Sequence, residues 1–532
     1  MNYKRYQLLL FSLLRLLLLF LLTFFLVCQQ TENYQIEAAE KTANPSALTL
    51  LDAVQLTLTQ QPNIRIASQK VNSKKAQIQS ADGRFDLLIN SSMSYHETFM
   101  PLSQAQESIT GSTSRDEGIT DFTLSFNQEL PNGIILQPSL SLTRTDDKSF
   151  GGQTQNDASV NFNLIIPLQK GWGRDVAGAE IRSAQVSLQS SEFNLQHTTA
   201  VSVKDVAAAY WNFVAAEKKL AILKKIETST KNAVADMQAL IKADASPASN
   251  LKPLMAQLFD KSLSRVAAEQ NLLSARHQLG LTMGLTRIGN GDLSHPLDSF
   301  PKPIALVSTT DRSLIAKLKS IALQNRTDLK ALARKEAALQ IDLIAVQNDL
   351  KSQIDLVFSS GYNGLAEGSS WRKSINSFSS QVPGLNYGVA LNYQFPYQNN
   401  QARGQLGQLE ADIAQARITT ADLERNINSQ VEVVFEALFR SLEQLQFSTG
   451  AVETYQRVVA DEKEKVRLGI STVVDLIAMA DKLENALLAE VSTQQNYANA
   501  LLALRFTTGT LIKWQGDESS LSLKRFTSMP DI

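Results

Sequence analysis

Two long helical stretches of this chain end on nearly the same phrase, Leu-Gly-Leu-Thr-Met-Gly at 279–284 and Leu-Arg-Phe-Thr-Thr-Gly at 504–509, 225 residues apart. The spacing holds upstream. Val206 falls on Val431, Tyr210 on Phe435, Leu220 on Leu445, Leu251 on Leu476 and Leu254 on Met479. Aromatic meets aromatic and aliphatic meets aliphatic, the mark of an internal duplication. The period is far too long for a solenoid, so each copy is a large unit built to stand beside its twin.

The N-terminus stands apart. Lys4 and Arg5 precede an apolar stretch from Leu8 to Val27, broken by Arg15 and a few polar residues, which reads as a secretory signal peptide. Its length also admits an uncleaved anchor. The one cysteine, Cys28, closes that stretch; Val27 before it fits a lipoprotein signal poorly. Small residues at Ala38, Ala39 and Ala47 leave the cleavage point open between 28 and about 47. Cleaved after Cys28, the mature chain holds no disulfide and takes its stability from packing and assembly.

Each copy opens with an amphipathic segment. Leu50, Val54, Leu58, Ile64, Ala67, Val71 and Ile78 recur at steps that predict a helix over 48–82, and its twin spans 313–350, with Leu56 matching Ile321 at an offset of 265. The period then drops to two. Leu385, Tyr387, Val389, Leu391, Tyr393 and Phe395 alternate with small and polar residues, as do Val160, Phe162, Leu164 and Ile166, and Leu87, Ile89, Met93 and Tyr95. Pro167 and Pro396 stop these ladders at an offset of 229, so the first copy holds about 36 more residues in its strand region. They read as a hairpin, with Phe122, Leu124 and Phe126 before a Leu-Pro-Asn-Gly turn at 130–133 and Ile134, Leu136, Leu140 and Leu142 after it. The polar stretches 96–120 and 144–157 read as long loops at the other end. Strands of this kind fit a transmembrane barrel wall or one sheet of a soluble sandwich; the signal peptide and the aromatics near the strand ends favour the barrel.

Long helices follow, at 175–242 and 253–283 and again at 402–467 and 473–508. Val431, Val434, Phe435, Leu438, Phe439, Leu442 and Leu445 step by three and four along a coiled-coil-like seam. Helices of about 100 Å need partners along their length. A dimeric coiled-coil scaffold would explain them but not the strands between.

At this point the chain resembles the TolC family of outer-membrane efflux channels, over roughly 48–514. The residues that carry the resemblance are Val466-Arg467-Leu468-Gly469-Ile470-Ser471-Thr472-Val473-Val474-Asp475-Leu476, similar to the family's turn at the periplasmic tip of the second helix pair, with Pro167 to Arg174 and the terminal Thr-Met-Gly and Thr-Thr-Gly. The fold this implies is an α+β membrane protein of two tandem repeats. It is a homotrimer sharing one antiparallel β-barrel, continued by a long α-helical barrel across the periplasm. The family places four strands per protomer in the wall. Six here would close an 18-stranded barrel, and twelve strands stand if the extra hairpin lies outside. The implied function is a passive exit duct of a Gram-negative outer membrane. It would be bedded in outer-membrane lipid and coupled by a periplasmic membrane-fusion adaptor to an inner-membrane transporter of RND, ABC or MFS type, in efflux or type I secretion. A periplasmic or surface helical scaffold without a pore is the alternative.

The resemblance also assigns tip residues. Asp475 matches the family's acidic ring; three symmetric carboxylates would favour cations. Asp475 equally suits the first turn of a helix, and Ala478 one turn later leaves no second acidic ring. Arg467, Leu468, Gly469 and Ile470 match the adaptor-facing turn, where Gly469 can end one helix and Ser471 or Thr472 cap the next. In the first copy the corresponding turn is Ala243, Asp244 and Ala245. Asp244 stands where the family has glycine and Asn250 where it has an acid, and Pro247 still enforces the break.

The domain reading is therefore a signal peptide over 1–28 and repeat 1 over 48–284, with strands in 87–168 and long helices in 175–283. A linker fills 285–312; repeat 2 spans 313–509, with strands in 353–397 and helices in 402–508, and a tail runs over 510–532. Charge is balanced, 51 basic against 52 acidic residues, which gives no nucleic-acid footprint. Nothing resembles a Walker loop, dinucleotide fingerprint or nucleophile elbow. His96, His197, His277 and His295 lie far apart without metal spacing, so neither enzyme activity nor a cofactor is expected. Acidic residues on the long helices are expected to form solvated faces.

Overall fold

The computed structural model describes residues 48–147, 154–244, 246–285, 295–303, 312–379, 385–515, 518–520 and 522–530. The signal-peptide reading at 1–28 and Ala245 lie outside the described residues.

Each copy opens with a broken helix rather than the single one expected. Leu50–Gln60 (α1) and Pro62–Asp82 (α2) are divided at Gln61, and Arg312–Asn325 (α5) and Thr327–Asp349 (α6) at Arg326. The first break has a clear cause. Pro62 has no N–H to continue α1 but suits the first turn of α2, where Gln61 caps by accepting from the Asn63 amide at 2.6 Å. Two rods follow. Ala179–Lys242 (α3) and Asn400–Arg467 (α7) hold 64 and 68 residues, and each folds back through a tight turn, into Leu251–Met283 (α4) and Val473–Thr507 (α8).

Between the short and long helices lie six strands: Leu88–Pro101 (β1), Ser114–Glu129 (β2), Ile135–Asp147 (β3), Thr154–Pro167 (β4), Gln353–Glu367 (β5) and Asn386–Gln394 (β6). They form one antiparallel sheet in chain order, four strands from the first copy and two from the second. The loops expected at 96–120 and 144–157 are shorter than their polarity suggested. Strand structure runs through Pro101, from Ser114, to Asp147 and from Thr154, with a short helix at Gln104–Thr110. Polar residues at the outer strand ends hide the alternation.

Register turns the alternation into two faces. Met93 pairs with Phe122, Phe122 with Leu142, Val160 with Leu140 and Tyr362, and Leu164 with Leu136 and Phe358, which in turn pairs with Val389. That face is apolar from edge to edge. The other carries Ser92, Thr123, Ser141, Ser159, Asn161, Asn163, Ser359 and Asn392, with side-chain bonds such as Ser141 to Ser159 at 2.6 Å and Thr143 to Asp121 at 2.7 Å. A one-residue slip anywhere would put Ser and Asn among the Leu and Phe, so burial chemistry fixes the register.

The helices pack as rows. Next to the sheet the row runs α2, α3, α6, α7; toward the turns it runs α4, α3, α8, α7. The two rods thus keep their place while their partners change at a waist. The cores sit there. Leu50 and Val54 of α1 pack with Tyr210, Phe213 and Val214 of α3 and Leu279 and Met283 of α4. Leu318 of α5 packs with Val431, Phe435 and Leu438 of α7 and Leu501 and Leu504 of α8. Tyr210 donates to the Leu48 carbonyl at 3.0 Å and to Asp298 at 2.9 Å, and burial first of all raises its pKa. The C-terminal segment closes the first core with Phe526, while Arg505 donates to the Ser528 carbonyl at 2.9 Å.

The repeated Thr-Met-Gly and Thr-Thr-Gly explain themselves at the waist. Gly284 (φ +81) and Gly509 (φ +67) end α4 and α8 against the breaks of the short helices. A Cβ on Gly284 would sit 2.7 Å from the Gln60 carbonyl oxygen, and one on Gly509 would sit 2.9 Å from the Asn325 carbonyl carbon. Gly284→Ala and Gly509→Ala should each destabilise by roughly 2–3 kcal/mol, through the left-handed backbone and the clash together. The control is Gly450→Ala inside α7, whose Cβ meets nothing within 4 Å. It should stabilise by about 0.5–1 kcal/mol. Thermal unfolding of the three variants checks this.

Candidate functional site: two helical tips

The rods end together, far from the sheet. At the second tip the α7 helix closes in a Schellman turn: the Ile470 amide donates to the Lys465 carbonyl and the Gly469 amide to that of Val466, both at 3.1 Å. Gly469 takes φ +72, as this motif requires. Thr472 then caps α8. Its hydroxyl oxygen accepts from the Asp475 amide at 3.2 Å, and the Asp475 carboxylate accepts from the Thr472 amide at 3.3 Å. This is a reciprocal capping box, with aspartate in the place usually held by glutamate.

Asp475 is therefore exposed at the tip with its carboxylate turned into a cap. The Thr472 hydroxyl, then the Thr472 amide, then Ser471 hold its pKa below the ordinary aspartate value. Beside it the Ser471 hydroxyl donates to Glu462, which Lys465 also bonds at 3.0 Å, and Arg467 pairs with Glu464. Leu468, Ile470 and Val474 stand out into solvent at 58%, 73% and 59% exposure, a density of bare apolar side chains unusual for a turn.

The first tip reaches the same end by other means. Ala243 closes α3 by donating to Ala239, and Asp244 adopts φ +54, the left-handed conformation that glycine supplies at the second tip. Asn250 donates to Ser246 at 3.2 Å, and a 3-10 turn at Ala248–Asn250 leads into α4. The two tips adjoin: Val473 and Ile477 of α8 pack against Val234, Met237 and Leu254.

Sequence reasoning missed the ion pairs above the tips. Acidic residues on the long helices were expected to be solvated, yet Glu227 and Glu484 are buried at 5% and 7% exposure. Glu227 of α3 accepts from Ser262 at 2.7 Å and meets Arg265 of α4 at 3.0 Å; with Lys231 these lower its pKa, the Ser262 hydroxyl most. Lys261 of α4 reaches across to α8, meeting Asp481 at 2.7 Å and Glu484 at 2.6 Å. Burial works against the Lys261 charge, but these two carboxylates outweigh it and raise its pKa. Partners on separate helices leave no spacing signal. Only the 225-residue offset, which sets Lys261 on Ala486 and Glu227 on Val452, marks these positions as charged in one copy and apolar in the other.

Strands set between helix pairs about 100 Å long that end in paired tips make a fold like that of TolC-type outer-membrane channels, with six strands here against the four expected from that likeness. No protein-family model matches the sequence, and no curated protein matches it. Among solved structures, the outer-membrane channel OprN superposes with a TM-score of 0.62 at 13% identity, over 87% of this chain and 90% of its own. The CmeC outer membrane channel of Campylobacter jejuni gives 0.62 at 14%, over 87% and 85%, and the MtrE channel of Neisseria gonorrhoeae, solved in an open state, 0.59 at 14%, over 86% and 88%. At such identities the likeness is one of fold.

The capping box makes the second tip sensitive to acid. A carboxylate whose folded pKa is lowered contributes stability above its unfolded pKa and loses it as the pH falls through the folded value. Thr472→Val should lower the amide-exchange protection of residues 474–476 about fivefold at neutral pH. Acidification below the ordinary aspartate range should do the same to the parent chain, and little further to the variant.

Proposed function

We propose that this chain is one third of a trimeric outer-membrane duct, passive in itself, that continues an inner-membrane transporter through a periplasmic adaptor. The observation that carries this is β6. Six large apolar residues alternate over 385–395, exposed at 58–85%, on a strand whose outer edge has no partner among the described residues. A soluble scaffold would leave that face and edge to water, where it invites aggregation. A membrane solves both: lipid covers the face, and β6 of one copy pairs with β1 of the next until the wall closes. Eleven residues match a tilted membrane-crossing strand.

The helices support the same assembly. Met255, Phe259, Leu263 and Val266 form an exposed stripe on α4, and Val433 and Phe447 stand out from α7, the two helices at the open edges of the lower row. Three rows joined at these edges enclose a periplasmic duct. The tips form its inner mouth, with Asp475 lining the aperture while its second oxygen serves the cap. Leu468 and Ile470, with Ala243, Asp244 and Arg467 nearby, form the surface for the adaptor. The sequence carries no Walker loop, and in this reading energy comes from the transporter. The six strands per copy make this an 18-stranded wall.

Two experiments test this. Cysteines introduced at Ser92 in β1 and Ala390 in β6 should cross-link between copies and give a covalent trimer on oxidation; a monomeric product would sink the barrel. In planar bilayers the protein should conduct with cation preference, and Asp475→Asn, which keeps an oxygen for the cap, should weaken that preference. Unchanged selectivity removes Asp475 from the aperture.

A further inference from the structure

The described residues after β5, 368–379, do not project from the sheet but fold back over it. Gly368 donates its amide to the Thr154 carbonyl at 2.7 Å, and Asn156 of β4 donates to the carbonyls of Ala366 at 3.1 Å and Gly368 at 3.0 Å. A short helix at Trp371–Asn376 and a 3-10 turn at Ser377–Ser379 then lie on the sheet. Ser374 donates to Asn156, and Ser377 is fully buried over Gly364, where a Cβ would stand 1.8 Å from the Ser377 carbonyl oxygen. Gly364 is thus the recess that admits the flap.

The face it covers decides its meaning. Gly364 shares its parity with Tyr362 and Phe358 and pairs with Ala158, so the flap lies on the apolar face, directly beyond the exposed Val160, Phe162 and Phe358. With Ser374 and Ser377 toward the sheet, Trp371 and Ile375, one turn apart, point away from it at 53% and 56% exposure. Arg372 and Lys373 are the only charged residues between 368 and 385, and both are exposed. An aromatic and an aliphatic side chain beside two cations, at the rim of an apolar wall, match the border between acyl chains and anionic headgroups.

We infer that this flap is a lipid clamp that holds the outer end of the wall to anionic headgroups of the outer leaflet, Trp371 and Ile375 entering the acyl border and Arg372 and Lys373 meeting the headgroup charge. It rests on the membrane-duct reading above. Trp371 reports on it directly. The full-length protein is reconstituted in phosphatidylcholine–phosphatidylglycerol vesicles with one lipid brominated at the shallow 6,7 positions, and the Trp371 emission is taken as the difference from Trp371→Phe. Brominated phosphatidylglycerol should quench that emission more than brominated phosphatidylcholine, by roughly fivefold in local preference per cation. Arg372→Gln with Lys373→Gln should abolish the bias without loss of insertion. Inserted protein with Trp371 unquenched overturns the clamp, as does equal quenching by both lipids. Protein that fails to float with the vesicles overturns the membrane reading itself.

Discussion

A β-sheet has to dispose of its edges, and this one cannot do so alone. Its six strands are paired in chain order, which leaves the outer side of β1 and of β6 with a row of backbone donors and acceptors. In water such edges are satisfied at the risk of pairing with anything extended; in hydrocarbon each unpaired group costs several kcal/mol. Through its middle the same sheet is apolar over one face and Ser/Asn-rich over the other, a pattern that suits a boundary between lipid and water. Closure among copies, as proposed above, would meet the edge and the face together, and the helices fit it. The helical rows too end in open sides, with apolar stripes where a neighbouring row would meet them.

The waist is what lets one chain serve both regions. The rods α3 and α7 pass through it unbroken, while α2 and α6 stop being their partners and α4 and α8 begin. Each changeover is a place where a helix end meets a helix break, and close approach there demands a residue without a side chain. Gly284 lies on Gln60 and Gly509 on Asn325 for that reason. Around them sit the largest buried side chains of the molecule, Trp211, Tyr210 and Tyr497 among them. The waist is thus the most deeply buried part, and the tips and the sheet margins are the exposed ones.

Most of this fold could be read from periodicity. The seam from Val431 to Leu445, the alternation over 385–395 and the hairpin around 130–133 each have one physical explanation, a stripe or a face to be covered, and each is in the structure. What could not be read has causes as definite. The helix break at Gln61 interrupts the pattern without disturbing it, because α1 and α2 both pack on α3; at Arg326 the neighbours change, α5 packing on α7 and α6 lying between α3 and α7. The outer ends of β2, β3 and β4 are polar on both faces, so the period of two vanishes there although the ladder goes on. At the tips the cap of Thr472 and the turn of Gly469 were legible from residue type. The left-handed Asp244 was foreseeable only as a tolerated exception. The pairs of Glu227 with Arg265 and of Lys261 with Glu484 depend on which helices become neighbours, and no local pattern encodes that.

The surplus hairpin has a geometric reason under the trimeric reading. A row of four helices at about 8–10 Å spacing is about 32–40 Å wide. Six strands at about 4.8 Å, tilted by about 40°, cover about 38 Å of circumference. Four strands at that tilt cover only about 25 Å, and would have to lean to roughly 60° to match the helices below them. With β2 and β3 in the wall, sheet and helices share one girth, so the rods can run straight out of the strands with no collar between. Three copies then enclose a barrel about 36 Å across between backbones, wide enough to leave a water-filled lumen. Such a wall selects little. In that reading discrimination would fall to the tips, where Asp475 and Glu462 stand beside the turn and the ion pairs of Lys261 and Glu227 lie above it.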